Sequence, residues 1–168
     1  MFSKLRRARA DLTTMNALFP AAERMARDDG TEQPGAEHLL LAALDLDDGI
    51  AQEVLDTFDV DPARLRAAIA SQHDETLRAI GVIADDNAIA AALPASCLPT
   101  GPYLTQGSAQ TAFQHAVALA KRSKATLNSG HLLLATTDSE HGTVARSLHH
   151  LSVDRDLLRN RTCEMLAK

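Results

Sequence analysis

A chain of 168 residues suits one domain or two small ones, and a domain of this size buries roughly two-thirds of the surface its unfolded chain exposes, so it needs no disulfide or metal staple. Only 3% of residues are aromatic while 45% are hydrophobic, leaving an Ala- and Leu-dominated apolar content that favours helix over sheet. The net charge of −5, with Lys4, Arg6, Arg7 and Arg9 as the one short basic run, argues against a nucleic-acid partner.

No apolar stretch approaches the roughly 18 residues of a membrane span, and no signal-peptide core opens the chain. The expected setting is cytoplasmic, without a membrane partner, and with Cys97 and Cys163 as reduced structural thiols.

In chain order, the basic run reads as a solvated helix start. Met15, Leu18, Phe19, Ala22, Met25 and Ala26 follow at helical spacing and draw one apolar stripe. Pro20 falls inside that stripe, and because an interior proline costs about 3 kcal/mol, a kink or break near Phe19 is expected. A second helix after Pro34-Gly35 carries His38 to Leu46, apolar on nearly every side, as in a buried central helix.

Asp45-Leu46-Asp47-Asp48-Gly49 resembles a calcium loop only briefly, since its glycine comes one place early and Asp56 stands where the twelfth-position Glu belongs. It reads as a solvated turn. A third helix from about Gly49 carries Ile50, Ala51, Val54, Leu55 and Phe58, and Asp61-Pro62 supplies an N-cap and N1 proline for a fourth with Leu65, Ala68 and Ile69. From Gln72 to Ala92 the pattern is helical but interrupted at Gly81 and Asp85-Asp86, and Leu93 to Pro102 is rich in Pro, Gly and small residues.

Beyond this segment the same series returns. Ala109, Phe113, Ala116, Val117 and Ala120 form one stripe, Ser129 reads as a cap before His131 to Ala135, Val144, Leu148 and Leu151 form a third helix, and Asp154 caps a fourth with Leu158, Thr162 and Met165. His38-Leu39-Leu40-Leu41-Ala42 recurs as His131-Leu132-Leu133-Leu134-Ala135, and the same offset of 93 pairs Asp45 with Asp138 and Gly49 with Gly142. It goes on to pair Leu55 with Leu148, Val60 with Val153, Asp61 with Asp154, Leu65 with Leu158 and Arg66 with Arg159. Ungapped identity at this density is an internal repeat. The expected fold is all-α: two tandem, pseudo-symmetric four-helix repeats in a single domain over 1–168, with copies at 9–71 and 104–168 and a short extra helix or linker at 72–103.

Gly35-Ala36-Glu37-His38-Leu39-Leu40-Leu41 is similar to the Gly-Thr-Glu-His-hydrophobic-Leu-Leu signature of the N-terminal domain of Clp-type (Hsp100) unfoldases. Asp48-Gly49-Ile50-Ala51 and Phe58-x-Val60-Asp61 resemble that family's Glu-Gly-Val-Ala and Leu-Gly-Val-Asp segments. The resemblance implies a protein-binding module without chemistry of its own, one that in the family precedes AAA+ ATPase rings and receives adaptors, tagged substrates and degradation signals. No Gly-x-x-x-x-Gly-Lys-Ser/Thr phosphate loop occurs in the chain. The sequence is thus read either as a free-standing accessory factor or decoy for Clp-directed ligands, or as a fragment of a longer divergent AAA+ unfoldase.

The resemblance also implies a ligand class, since some such domains bind phosphoarginine and some bind cyclic peptides. A Thr at the start of the first helix then offers its N-terminal N–H groups to the phosphoryl, and the Glu of Gly-Thr-Glu-His takes the guanidinium. The first copy here retains Glu37, with Leu12 at the threonine position and Thr13 one place on; the second retains Thr105 and has Gly130 in place of the glutamate. Glu37, Thr105 and Thr13 are therefore the candidate ligand residues. The structural alternatives are a first-turn carboxylate complementing the helix dipole for Glu37 and an ordinary N-cap for Thr105.

His38 and His131, at the heads of buried helices, read as structural groups bonded to neighbouring backbone. No His-x-x-x-His or Cys-x-x-Cys spacing suggests a metal, no cofactor is implied, and neither cysteine lies in a catalytic context.

Overall fold

The computed structural model describes residues 2–79 and 106–167. Cys97, Thr105 and most of the segment expected to join the copies lie outside the described residues. Eight helices and no strand are found among the described residues. The first set is α1 (Phe2–Asp28), α2 (Ala36–Leu44), α3 (Ile50–Asp56) and α4 (Pro62–Ala79); the second is α5 (Gly107–Arg122), α6 (Ser129–Thr137), α7 (Thr143–His150) and α8 (Arg155–Leu166).

Helix α1 runs through Pro20 without a break. The reason lies in which side faces water: Asn16, whose carbonyl loses its partner, and Pro20 are both exposed, whereas Leu18, Phe19, Ala21 and Ala22 on the other side are buried. Burial of an apolar side chain is worth about 1.5–3 kcal/mol, enough for this stripe to offset the proline.

The ends of the helices reproduce the repeat. Asp61 accepts from Arg64 N at 2.7 Å, and Asp154 accepts from Asp156 N and Leu157 N, so both repeat-related aspartates cap their fourth helix. Arg66 pairs with Asp45 at 3.7 Å and Arg159 with Asp138 at 3.1 Å, one ion pair made twice from the repeated identities. The third helix of each copy is followed within three residues by a left-handed residue, Asp59 (φ 56) and Ser152 (φ 58), after which Val60 N bonds Leu55 O and Val153 N bonds Leu148 O.

The central helices α2 and α6 pack on each other and contribute to two apolar clusters. Leu39 and Leu132 enter one, with α1 and α5; Leu40, Leu41 and Leu133 enter the other, with the third and fourth helices. The copies also interlock, because α3 packs on α8 and α4 packs on α7. Each copy therefore completes the other's core, and the start of each central helix lies close to elements of both.

Two local expectations change. Asn128, not Ser129, is the N-cap of α6, its side-chain oxygen accepting from His131 N at 3.1 Å. The Asp45 to Gly49 segment is more than a solvated turn: Asp48 accepts from Ile50 N at 3.1 Å and from Ser129 N at 3.0 Å, and also bonds the Ser129 hydroxyl. Ser129 Oγ in turn accepts from Ala51 N at 2.9 Å, so the starts of α3 and α6 share one cap network across the copies.

A candidate ligand site at the start of the second helix

Glu37 stands in the first turn of α2 and is only 8% exposed. Its carboxylate folds back over Gly35 so closely that a Cβ there would lie 2.8 Å from its Cδ, which explains the glycine at this position. Three backbone N–H groups of the helix start are taken from within. Gly35 N donates to His38 Nδ1 at 3.0 Å, Ala36 N donates to Ser108 Oγ at 3.4 Å, and the Glu37 carboxylate accepts from its own N–H.

Two histidines flank the carboxylate. His38 is fully buried; with Nδ1 accepting from Gly35, the ring proton sits on Nε2, which faces Asp29 Oδ2 at 3.1 Å. His73, on α4, places Nε2 at 3.8 Å from Glu37 Oε1, an ion-pair distance longer than a hydrogen bond. The two rings are tilted with centroids 6.2 Å apart. On the far side of α4, Arg146 of α7 donates to Gln72 Oε1 at 3.2 Å, and a cavity of about 510 Å³ lined in part by Gln72, Glu75 and Arg146 opens there.

The protonation of the pair follows from this packing. Burial works to raise the Glu37 pKa, but His73, the helix-start N–H and His38 outweigh it and hold it below the ordinary carboxylate value of 4.5. The Glu37 carboxylate raises His73 above its ordinary 6.5 against partial burial, with help from Asp29 and opposition from Arg146. The arrangement is a largely buried carboxylate facing a partly exposed imidazole whose charged form it favours.

The corresponding place in the second copy is closed. Gly130 matches Glu37, and a Cβ on it would meet Ile50 Cγ2 at 2.8 Å and Leu166 Cδ2 at 2.9 Å. Leu166 lies 93 positions after His73, so the Glu37–His73 pair of one copy is replaced by an apolar plug in the other. His131 remains fixed but as the opposite tautomer: Asn128 Oδ1 already accepts from His131 N, so the ring contact to that oxygen at 2.6 Å is an Nδ1–H donation. Burial lowers the pKa of His131, with Asp48 and Asp11 pulling the other way.

Of the residues singled out in the sequence, Glu37 is in the cluster. Thr13 is far from any helix start; it lies within α1, exposed, with Oγ1 donating to Arg9 O at 3.1 Å, because α1 begins at Phe2. Thr105 lies outside the described residues. His73 was missed, although its signal was present: the repeat sets a histidine where the other copy has Leu166. Cys163 is an exposed free thiol, and no group suited to a metal is found among the described residues. No described helix is long and apolar enough to cross a membrane.

Comparison with curated proteins returns no match. Residues 13–93, comprising most of the first helix set and reaching into the segment beyond the described residues, match the family model of the Clp repeat (R) N-terminal domain. The all-helical fold agrees with that match, and residues 13–93 are similar to a Clp N-terminal domain.

Proposed function

We propose that the chain is a non-catalytic protein- and peptide-binding module that takes a cationic group, such as an arginine side chain of a Clp-directed substrate or adaptor, on the Glu37 carboxylate. The observation that supports it is the state of that carboxylate, largely buried and held ionised, with His38 Nδ1 at 3.5 Å and His73 Nε2 at 3.8 Å from Oε1. A buried carboxylate is an unfavourable element of a fold unless it is paired, and a planar guanidinium could pair with it by two parallel hydrogen bonds.

The same geometry bears on phosphoarginine. The N–H groups of Gly35, Ala36 and Glu37 are engaged by His38, Ser108 and Glu37 itself, so a phosphoryl group would have to compete for the donors at that helix start. The reading is therefore of one site per chain that recognises the guanidinium more than the phosphoryl.

Titration calorimetry with N-acetyl-arginine amide, phosphoarginine and a short arginine peptide tests this. Binding of the arginine compounds with a stoichiometry near one, lost in Glu37→Gln, is the expected result. Absence of heat for all three at millimolar concentration, where Kd values near 1 mM correspond to about −4 kcal/mol, would end the reading.

A further inference from the structure

The Glu37 side chain is only 10% exposed, and described neighbours crowd its carboxylate. Gly35 lies against it on one side, the fully buried His38 ring on another, and its own helix start on a third. Among the described residues the further neighbour is His73, which is more exposed than His38 and less closely held. Its side chain is 27% exposed, it stands at 3.8 Å from Oε1, and it makes this contact from a separate helix. His38, by contrast, is held at both ring nitrogens.

Resting on the reading of Glu37 as a cation site, we infer that His73 is the internal occupant of that site, a specificity gate that a ligand's cationic group must displace, with binding coupled to the His73 proton. The second copy shows what a permanent closure looks like: there the same two positions are Gly130 and Leu166, packed with Ile50 into an apolar seal that no cation displaces. In the first copy the seal is ionic and titratable, and a guanidinium offers the carboxylate what the imidazolium offered.

The surroundings set the sign. Asp29 and Glu37 favour the charged ring, and Arg146 from α7 disfavours it. His38 approaches from α2 with its ring proton turned to Asp29, and on α4 itself the nearest carboxylate, Glu75, accepts from Gln72 Nε2 at 3.0 Å. Once displaced into solvent, His73 loses its carboxylate and returns toward its ordinary pKa of 6.5, so binding releases protons where the folded, unliganded ring is charged. A ligand therefore binds more weakly at pH 6 than at pH 8. Glu37 does not contribute to that difference, since its pKa lies below 4.5 and it is ionised at both.

The test is calorimetry with N-acetyl-arginine amide at pH 6 and pH 8, each in two buffers of different ionisation enthalpy, on the wild type and on His73→Gln and His73→Ala. The expected wild-type result is several-fold tighter binding at pH 8 with proton release, and in both variants tighter binding at pH 6 than wild type with a flat pH profile. Wild-type binding without proton release, or variants that keep the wild-type pH profile, overturns the gate while leaving the cation site standing. No binding in wild type or either variant removes the cation site and the gate together.

Discussion

Gly130 and Glu37 occupy the same place in the two copies, and the space one uses for a carboxylate the other fills with Ile50 and Leu166. The glycine is thus a packing requirement and not a lost binding residue waiting to be restored. Gly130→Ala is expected to destabilise the protein by about 1–3 kcal/mol, the usual cost of overpacking a filled core, in spite of alanine's better helix propensity. Chemical denaturation checks this; a stabilised Gly130→Ala would show that Ile50 and Leu166 yield freely and that the plug is soft.

Ser147 is fully buried, and its Oγ has no hydrogen-bond partner among the described residues; the repeat places it opposite Val54, an apolar residue of the core. An unsatisfied buried hydroxyl costs about 1–3 kcal/mol. Ser147→Ala removes the hydroxyl without adding volume and is expected to stabilise by about 1 kcal/mol. A loss of stability on this change would mean that the hydroxyl is bonded after all.

Ser152 sits at φ 58 after α7, a conformation that costs a side-chain-bearing residue about 1–2 kcal/mol and glycine nothing. Part of the gain from glycine is cancelled by the greater freedom of the unfolded chain, so Ser152→Gly is expected to stabilise by about 0.5–1 kcal/mol. The thermal midpoint should rise accordingly. The repeat partner Asp59, at φ 56, should respond in the same direction, and opposite signs at the two positions would contradict the equivalence of the two turns.

These positions show where the sequence is legible and where it is not. Caps, turns and central helices follow from local chemistry, so Asp61, Asp154 and the two His-Leu-Leu-Leu-Ala runs are readable in order along the chain. Pro20 misleads, because whether a proline breaks a helix depends on whether the orphaned carbonyl meets water, which is a tertiary fact. The site was half legible for the same reason. Glu37 announces itself in a motif, but His73 reaches it from another helix, and the closure of Gly130 is made by Ile50 from one copy and Leu166 from the other.

His73 and His131 give the fold opposite responses to acid. Folding raises the pKa of His73, so its contribution is complete below 6.5 and disappears as pH rises through the folded value. Folding lowers that of His131, so its contribution is present above 6.5 and is lost as pH falls through the folded value. His73→Gln should therefore cost more stability at pH 6 than at pH 8. Urea midpoints at the two pH values decide it, and an equal loss at both would show that Glu37 holds His73 no more strongly when it is charged.

Asp48 carries the joint between the copies, since it accepts from Ile50 N and Ser129 N and holds the hydroxyl that accepts from Ala51 N. Removing a cap costs about 0.5–2 kcal/mol, and here two helix starts lose their acceptor at once, so Asp48→Ala is expected to cost about 2–3 kcal/mol. Asp48→Asn keeps one oxygen acceptor and should cost less. Because Ser129 belongs to the same network, Ser129→Ala in an Asp48→Ala background should cost less than in the wild type, by about 0.5–3 kcal/mol of coupling. Strict additivity would mean that the two residues act on separate helices and that the joint does not exist as a unit.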